Sequence, residues 1–350
     1  MRWTTKSFSP PQRVWGMPAF RFWGVLGLVV AVVVAVAVCA ARDVSLAVEG
    51  AIVVAAVLTF CTLAMAMKVL IGREALIYYH HEIAVLSVTA ALAALLGAPV
   101  LDHLDATALG LGAFLVFGRI GCLFGGCCHG RPARGGVRYD AAHPVPLYLL
   151  GLPLFPVQAL EAALVALLVV VAATLSEPGA AFALYVTGYA VARFGLEELR
   201  GDLWRPYRLG LSAAQWTSLA VATVMAALAL AGVLPGAGVH VAVVAALAVA
   251  ALVVRRRTPA LLATQHVHEL SVLLPGLSPG RADVRQTSLG VRCSAGVSDG
   301  HAHYTLSRPD GDLGADDAGA LARVILWLRH PDDAGDVVAG AAGTYHLLIR

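Results

Sequence analysis

Charged residues are scarce in this sequence, and their scarcity excludes a single soluble globular domain. Asp, Glu, Lys and Arg make up 13% of the 350 residues, whereas 59% are hydrophobic, and the mean hydropathy is +0.77. Soluble domains contain roughly a quarter charged residues and about half apolar ones. The net charge of +3 is too small to indicate a nucleic-acid partner. The composition therefore predicts a polytopic membrane protein.

Cysteine is sparse as well, and the six cysteines lack the spacing of a secreted disulfide framework. Cys39 and Cys61 lie inside apolar runs, where cysteine usually serves as a small core residue.

The basic segment 1–22 is followed by an apolar run that ends near Ala41. That run is too long for the core of a signal peptide, so we expect it to be retained as a membrane span.

Eight apolar segments have the length of about 20 residues that a membrane-spanning helix needs. A loop rich in Pro and Gly, about residues 125–155, separates the fourth segment from the fifth. The expected fold class is an all-α polytopic integral membrane protein with about seven or eight transmembrane helices. The segments are residues 22–41, 46–67, 82–101, 106–124, 156–176, 179–199, 211–233 and 237–254.

The composition changes abruptly after three consecutive arginines at 255–257. We therefore expect a basic N-terminal segment (1–22), a membrane domain (23–257) and a small soluble α+β C-terminal domain (258–350). Alternation of apolar and polar residues predicts strands in this last part, and helical periodicity predicts one helix. The strands are expected near Val284–Cys293, His301–Leu306 and Asp336–Ile349, and the helix at Ala315–Arg329.

Two histidine pairs in the C-terminal part, His266/His268 and His301/His303, alternate as neighbours on one face of a strand do. Metal binding is one interpretation of such pairs. Spacing alone is weak support for a metal, and surface histidines are usually solvated. We therefore expect no metal site and no cofactor.

Lys and Arg are concentrated on one side of the predicted bundle. If the N-terminus is cytoplasmic, the opposite side keeps only Arg42. The positive-inside rule then places the loop 125–155 in the cytoplasm. Arginines that serve a substrate would bias this count, so the orientation stays open.

One short stretch, residues 118–132, concentrates Gly, Cys, His and Arg at the end of the fourth apolar segment. Charged groups at the edge of a bilayer core cost free energy and usually face a functional cavity. Glycines there allow backbone to approach a ligand or another helix closely. The alternative interpretation is a re-entrant turn whose arginines only reach for the interface.

A polar stripe runs along the sixth apolar segment. Tyr189, Arg193 and Glu197 are spaced by four residues, and Arg200 follows Arg193 by seven. Helical spacing places them on one face. An internal ion pair at a helix end is the structural explanation, but inside a membrane such a stripe more often lines a substrate cavity.

Five motifs occur in order along the predicted spans. The first motif is Gly118-Arg119-Ile120-Gly121, which ends with Gly130-Arg131-Pro132. The second motif is the polar stripe of the sixth segment. The other three are Tyr79-His80, Pro156-Val157-Gln158 followed by Glu161, and Gln215 with Ser218. Together they resemble the prolipoprotein diacylglyceryl transferase family over about residues 23–233.

This resemblance implies a membrane enzyme that moves a diacylglyceryl group from phosphatidylglycerol to the thiol of a lipobox cysteine, with glycerol phosphate as the leaving group. Its partners would be phosphatidylglycerol, the prolipoprotein signal peptide and the lipid bilayer. It implies a multi-pass protein of the bacterial plasma (inner) membrane, where lipoproteins mature.

The resemblance also implies site residues. Arginine provides a planar fork for a phosphodiester, and histidine is suited to accept a thiol proton near neutral pH. The implied catalytic residues are His80, Arg119, Arg193, Glu197 and Tyr189. The implied substrate-binding residues are Gly121, Gly130, Arg131, Gln158 and Arg200.

The chain departs from the family pattern within residues 118–132, which we call the signature loop. The family has Asn at the positions of Cys122 and Gly125, and Glu at the position of Cys127; His81-Glu82 replaces its Gly-Gly. Cys122, Cys127 and Cys128 thus form a candidate thiol site, as a nucleophile, as metal ligands or as packing residues.

Two alternatives to lipoprotein modification remain open at this point. One is a non-catalytic lipid-binding or sensory membrane protein, with residues 258–350 as its output module. The other is a transferase with a different acceptor that uses Cys127 or Cys128. The family's site faces the outer side of the membrane, whereas the Lys and Arg count places these helix ends inside.

Overall fold

Eight helices occupy the eight apolar segments, and a mixed α+β domain follows them, so the expected fold class is confirmed. The computed structural model describes residues 9–71, 77–146, 149–201, 207–255, 261–277, 283–298, 301–309, 313–330, 333–341 and 343–349. The helices of the membrane domain are α1 (Ala19–Ala41), α2 (Leu46–Ile71), α3 (Tyr78–Leu95), α4 (Val100–Gly125), α5 (Val157–Ala172), α6 (Ala180–Leu196), α7 (Ala213–Leu230) and α8 (Ala237–Arg255).

Five of these helices are long and apolar enough to cross a membrane: α1, α2, α4, α7 and α8. Helices α5 and α6 are shorter, and α3 begins with polar residues. Small residues bring α1 and α4 together. A Cβ on Gly110 would lie 3.0 Å from the Ala31 carbonyl, and one on Gly27 would lie 2.9 Å from the Phe117 Cβ. The helix axes therefore approach closely through glycines, as is common in membrane bundles.

Helix α4 begins six residues earlier than the expected start at residue 106, because its first turns carry a buried polar clamp. Asp105 is fully buried and forms an ion pair with Arg42 from the end of α1. The same carboxylate accepts hydrogen bonds from the backbone N–H groups of Gly179, at 2.8 Å, and Phe182, at 2.6 Å. Arg42 also donates to the Leu175 carbonyl at 2.8 Å. The clamp fixes the start of α6 against α1 and α4.

The C-terminal domain contains a five-stranded antiparallel sheet covered by helices. Its strand order is β6-β7-β8-β10-β9, and its helices are α9 (Thr264–Leu273) and α10 (Ala315–Arg329). Short strands elsewhere form two hairpins and one loop segment. The strands are β1 (Arg13–Val14), β2 (Met17–Pro18), β3 (Pro132–Val137), β4 (Tyr207–Arg208), β5 (Leu211–Ser212), β6 (Val284–Gln286), β7 (Arg292–Ser298), β8 (His301–Ser307), β9 (Gly335–Ala339) and β10 (Tyr345–Ile349).

Two expectations for the C-terminal domain are wrong. His266 and His268 lie on helix α9 and not on a strand. The His266 ring is buried, with Nδ1 2.7 Å from the Leu261 carbonyl oxygen and Nε2 2.8 Å from the Thr287 hydroxyl. The segment 336–349 forms the two paired strands β9 and β10 instead of one. Alternation in the sequence does not reveal the turn between them, because both strands have the same period. The expected boundaries of the three domains stay a prediction.

The loop after α4 packs on the C-terminal domain. Tyr139, Val145 and Leu152 of the loop belong to one buried apolar cluster with residues of the sheet and of α10. The guanidinium of Arg138 lies 5.8 Å from the ring centroid of Trp327. The His143 ring also lies 3.2 Å from the Pro10 carbonyl of the N-terminal segment. Three parts of the chain therefore meet on one face of the bundle: the segment 9–18, the loop after α4 and the C-terminal domain. We call this the loop face.

Burial of Cys293 leads to a testable expectation. Its side chain is fully buried in strand β7, and burial raises the pKa of its thiol to about 12. We expect a membrane-impermeant maleimide to leave Cys293 unmodified in native protein at pH 7 and to modify it after unfolding, as read by peptide mass mapping. The control is Val284→Cys, an exposed position of β6, which should react at once. Equal labelling of both would show that the sheet opens in the native state.

Candidate active site

Backbone hydrogen bonds join the signature loop to the segments before α5 and after α6. Gly130 N–H donates to the Phe155 carbonyl at 3.1 Å, and Phe155 N–H donates to the Arg131 carbonyl at 3.0 Å. On the other side, Arg131 N–H donates to the Leu199 carbonyl at 3.0 Å, and Gly201 N–H donates to the His129 carbonyl at 2.9 Å. The two arginine-bearing parts of the chain are thus held side by side.

Arg119, in the last two turns of α4, pairs with a carboxylate of α5. Its Nε lies 3.1 Å from Glu161 Oε2, and both side chains are buried. The other carboxylate oxygen, Oε1, accepts a hydrogen bond from the Tyr189 hydroxyl of α6 at 2.9 Å. The charges of both Arg119 and Arg193 act on that hydroxyl. One buried polar cluster therefore connects α4, α5 and α6.

Arg193 on α6 pairs with Glu197 one turn later, with 2.8 Å between Nη2 and Oε2. Both residues are buried. The second terminal nitrogen, Nη1, is also buried and has no hydrogen-bond partner among the described residues. An unpartnered cationic donor in a low-dielectric site is costly unless an anion binds to it. Arg193 therefore keeps one buried donor that an anionic oxygen could satisfy.

The three thiols of the signature loop lie together. Helix α4 is followed by Gly126, which has a φ of 75°, and Cys128 has a φ of 53°, which is rare for a residue other than glycine. These left-handed residues turn the chain back, so that the Sγ atoms of Cys122, Cys127 and Cys128 all lie within 4.8 Å of one another. Gln158 holds the turn by donating to the Cys127 carbonyl at 2.8 Å.

The three thiols of the signature loop differ in the electrostatic effects that act on them. Hydrogen bonds from Cys122 and Cys127, together with the charges of Arg200 and Arg119, lower the pKa of the Cys128 thiol. Cationic side chains near the loop thus favour a thiolate within this group.

A cavity of about 530 Å³ opens beside these residues, between α1, α2, α3 and α4. Its lining is mostly apolar, and Arg119, Cys122 and Cys128 stand at one end, whereas Glu49 stands near the other. On α4 alone the lining extends from Thr107 to Cys122, a length of about 22 Å at the helical rise. A long apolar pocket with a cationic end fits a lipid better than a soluble metabolite.

Comparison with known proteins agrees with this geometry. A family model described as prolipoprotein diacylglyceryl transferase matches residues 19–231. The chain belongs to this family. The resemblance seen in the sequence is thereby confirmed, and the chain is a multi-pass membrane protein of a transferase family.

One curated relative of this diacylglyceryl transferase family member is the phosphatidylglycerol–prolipoprotein diacylglyceryl transferase 2 of Clostridium perfringens (strain 13 / Type A), which is 34% identical over 109 residues. The match covers 29% of this chain and 41% of the relative, so the chain spans about two-fifths of that protein's length. No solved structure matches the chain significantly.

The structure gathers most of the residues that the family resemblance singles out. Arg119, Tyr189, Arg193 and Glu197 belong to the buried cluster, and Gln158 supports the loop. Arg131 and Arg200 are half-buried on the paired loop segments. Gly121 has a different surrounding, because a Cβ there would lie 3.2 Å from the Cβ of Trp23 on α1. It serves close helix packing.

The two histidines that open α3 differ in position. His80 is exposed, whereas His81 is buried and lines the cavity. The Nδ1 of His81 lies 3.0 Å from the Ile77 carbonyl, which fixes that nitrogen as the donor and leaves Nε2 with a free lone pair. Nε2 has no partner in the described chain. The assignment of His80 as base stays a prediction, and His81 is the histidine that the geometry offers.

Sequence reasoning missed two further groups. Glu161 appeared only as part of a motif, yet it bridges Arg119 and Tyr189. At the far end of the bundle, Cys39, Glu49 and His103 form a second fully buried group whose ligand atoms lie within 4.8 Å. No sequence motif connects them, because they lie on three different helices and far apart in the chain.

Substitution of Gly130 tests whether the close contact between the signature loop and the segment before α5 is needed. A Cβ at this position would lie 2.3 Å from the Phe155 carbonyl oxygen, which is backbone and cannot rotate away. We expect Gly130→Ala to separate the loop from α5, to destabilise the protein by about 2 kcal/mol and to abolish transferase activity. Thermal unfolding in detergent and an activity assay measure the two effects. The control is Gly135→Ala, where the added Cβ has open space; equal behaviour of both variants would contradict the expectation.

Proposed function

We propose that this protein transfers a diacylglyceryl group from phosphatidylglycerol to the thiol of a lipobox cysteine, at the bacterial plasma membrane. The observation that carries the proposal is the buried Arg119 at the cationic end of an apolar cavity, with a second buried arginine, Arg193, on the neighbouring helix α6. Each arginine is held by a carboxylate, and Arg193 retains an unpartnered buried donor. A membrane phosphodiester meets both requirements of this site, a charged head and a long apolar tail.

The lipid is placed with its phosphodiester at the arginines and an acyl chain in the cavity. Burying hydrocarbon there contributes roughly 0.8 kcal/mol per CH₂ group. Two guanidinium groups provide charge-assisted hydrogen bonds to the phosphate oxygens. These contacts orient the glyceryl carbon that reacts toward the loop that contains Cys122 and Cys128.

The reaction breaks the bond between that carbon and the phosphate oxygen and forms a carbon–sulfur bond. Negative charge builds on the departing glycerol phosphate, and Arg119 and Arg193 stabilise it. Glu161 and Glu197 keep the two guanidinium groups in place. The incoming thiol loses a proton, and His81 Nε2 is placed on the cavity wall to accept it.

The test is direct. Purified full-length protein, reconstituted with phosphatidylglycerol, is incubated with a peptide that contains a lipobox cysteine, and transfer is read as the added diacylglyceryl mass. The proposal expects transfer with phosphatidylglycerol and none with phosphatidylcholine or with the Cys→Ser peptide. A protein that binds phosphatidylglycerol but never modifies the peptide would instead be the lipid-binding or sensory protein.

A separate prediction concerns whether a thiol of the signature loop attacks the lipid and forms a covalent intermediate. If Cys127 or Cys128 attacked the lipid, the product would be a thioether on the enzyme, and a thioether does not pass its alkyl group to another thiol. We therefore expect intact-protein mass spectrometry during turnover to show no diacylglyceryl adduct. A stoichiometric adduct that disappears in Cys127→Ser or Cys128→Ser would contradict this expectation and favour a different acceptor, the enzyme itself.

A further inference from the structure

The loop thiols are the least explained feature of the site. The family has amide and carboxylate side chains at the positions of Cys122 and Cys127, and three free cysteines converge here instead. Three sulfurs cannot all pair as disulfides. Packing alone does not explain them either, because the cationic Arg119 lines the same end of the cavity as Cys122 and Cys128.

We propose that Cys122, Cys127 and Cys128 bind a zinc ion whose fourth ligand is the thiol of the acceptor peptide. This inference rests on the proposed function. A zinc–sulfur bond of about 2.3 Å in tetrahedral geometry places sulfurs about 3.8 Å apart. The three Sγ atoms already lie within 4.8 Å of one another, so no pair closes by more than about 1 Å when zinc binds.

The donor set and the charge suit zinc. Thiolates select soft or borderline metals, and a site with three protein ligands and one open position is typical of catalytic zinc. Zinc with three thiolates carries one negative charge. The guanidinium groups of Arg119 and Arg200, which act on Cys128, balance it in a region where an uncompensated charge is costly.

The open position faces the substrate. Cys122 and Cys128 line the cavity, whereas Cys127 Sγ lies on the helix side, 3.9 Å from the Cys122 carbonyl oxygen. A fourth ligand therefore reaches the zinc from the cavity, where the reacting carbon of the lipid is placed. A separate thiol can occupy this position without any change in the loop.

The zinc ion would replace the family's missing polar residues in preparing the nucleophile. A thiol that binds zinc loses its proton outright, and the proton passes to His81 Nε2 or to water. The zinc-bound sulfur then attacks the glyceryl carbon, the carbon–sulfur bond forms, and the carbon–oxygen bond to phosphate breaks. Glycerol phosphate leaves with the electron pair, and the uncharged thioether dissociates from zinc.

The first measurement is the zinc content of full-length protein purified in detergent under reducing conditions. We expect about one zinc per chain, as for a site with three cysteine ligands and one open position, and loss of nearly all of it in Cys122→Ser, Cys127→Ser and Cys128→Ser. The matched control is Cys39→Ser, which removes a ligand from the second buried group and should keep the zinc. Zinc content that is zero in the wild type, or unchanged in Cys122→Ser, overturns the proposal.

Cobalt substitution tests the fourth ligand. Co(II) in this site should show sulfur-to-cobalt charge-transfer bands that intensify when the lipobox-cysteine peptide is added and stay constant with the Cys→Ser peptide. Bands that do not respond to the peptide overturn the acceptor role of the metal. If zinc-free protein still transfers the diacylglyceryl group, the zinc proposal is wrong and the proposed function stands. If the protein binds zinc and its bands respond to the peptide, but no transfer occurs, the proposed function is wrong.

Discussion

Arg193→Lys should lower the rate of diacylglyceryl transfer by about 100-fold or more, although lysine keeps the positive charge. In the native protein Nη2 of Arg193 pairs with Glu197, while Nη1 has no partner among the described residues and, in the proposed function, binds the phosphate. A lysine ammonium is a single point charge and cannot serve both partners in a fixed geometry. Because the ion pair with Glu197 survives, the fold should be retained, and the loss should appear in kcat. Transfer of radiolabelled phosphatidylglycerol to a lipobox peptide gives the rate.

The matched control for this variant is Arg255→Lys, an exposed arginine at the end of α8. It should transfer at the wild-type rate. Thermal unfolding of Arg193→Lys should stay close to that of the wild type. If Arg193→Lys transfers within about twofold of the wild type, the free guanidinium nitrogen does not bind the phosphate, and the placement of the lipid is wrong.

Asp105→Ala should cause a large loss of stability, about 3–5 kcal/mol, as expected when one partner of a buried ion pair is removed. The substitution removes the buried partner of Arg42 and leaves the N–H groups of Gly179 and Phe182 without their acceptor. The start of α6 would then lose its attachment to α1 and α4. Thermal unfolding in detergent, followed by scanning fluorimetry, measures the loss.

Asp102→Ala is the comparison for this prediction. Asp102 also contacts Arg42, at 3.3 Å, but its side chain is 18% exposed, whereas that of Asp105 is 0% exposed. A partly solvated pair contributes about 1 kcal/mol or less. The two variants should therefore differ clearly in unfolding temperature. Equal shifts would show that the buried position of Asp105 adds nothing to the clamp.

Much of the membrane domain could be predicted because apolar length is a local property. Helix α8 begins at Ala237 as expected, and α10 in the C-terminal domain has the predicted bounds Ala315–Arg329. The early start of α4 could not be predicted in the same way. Its first turns carry Asp102, His103 and Asp105, which read as polar loop residues until their partners on other helices are known.

The site was predictable where one helix carries it and less so where helices meet. The spacing of Tyr189, Arg193 and Glu197 predicted that they share one helix face, and the structure pairs Arg193 of α6 with Glu197 just after the helix end. His80 and His81 are adjacent, so their order in sequence cannot show which one turns inward. That depends on the rotation of α3 against its neighbours, which is set by long-range packing.

The convergence of the three thiols also lies beyond local pattern. Adjacent cysteines point in different directions along an ordinary chain, and their spacing argues against shared ligation. The left-handed residues Gly126 and Cys128 redirect the chain within one turn, and that conformation is set by contacts with Gln158 and the loop face. A rule based on spacing does not account for such a reversal.

The loop face has a consequence for experiments on orientation. Because residues 9–18, the loop after α4 and the C-terminal domain share contacts on one side of the bundle, the number of membrane passages between any two of them is even. A reporter placed in any one of the three determines the compartment of all three, and with them that of Arg119 and the thiols. One protease-protection result on the C-terminal domain would therefore decide between a reaction fed from the cytoplasm and one fed from outside.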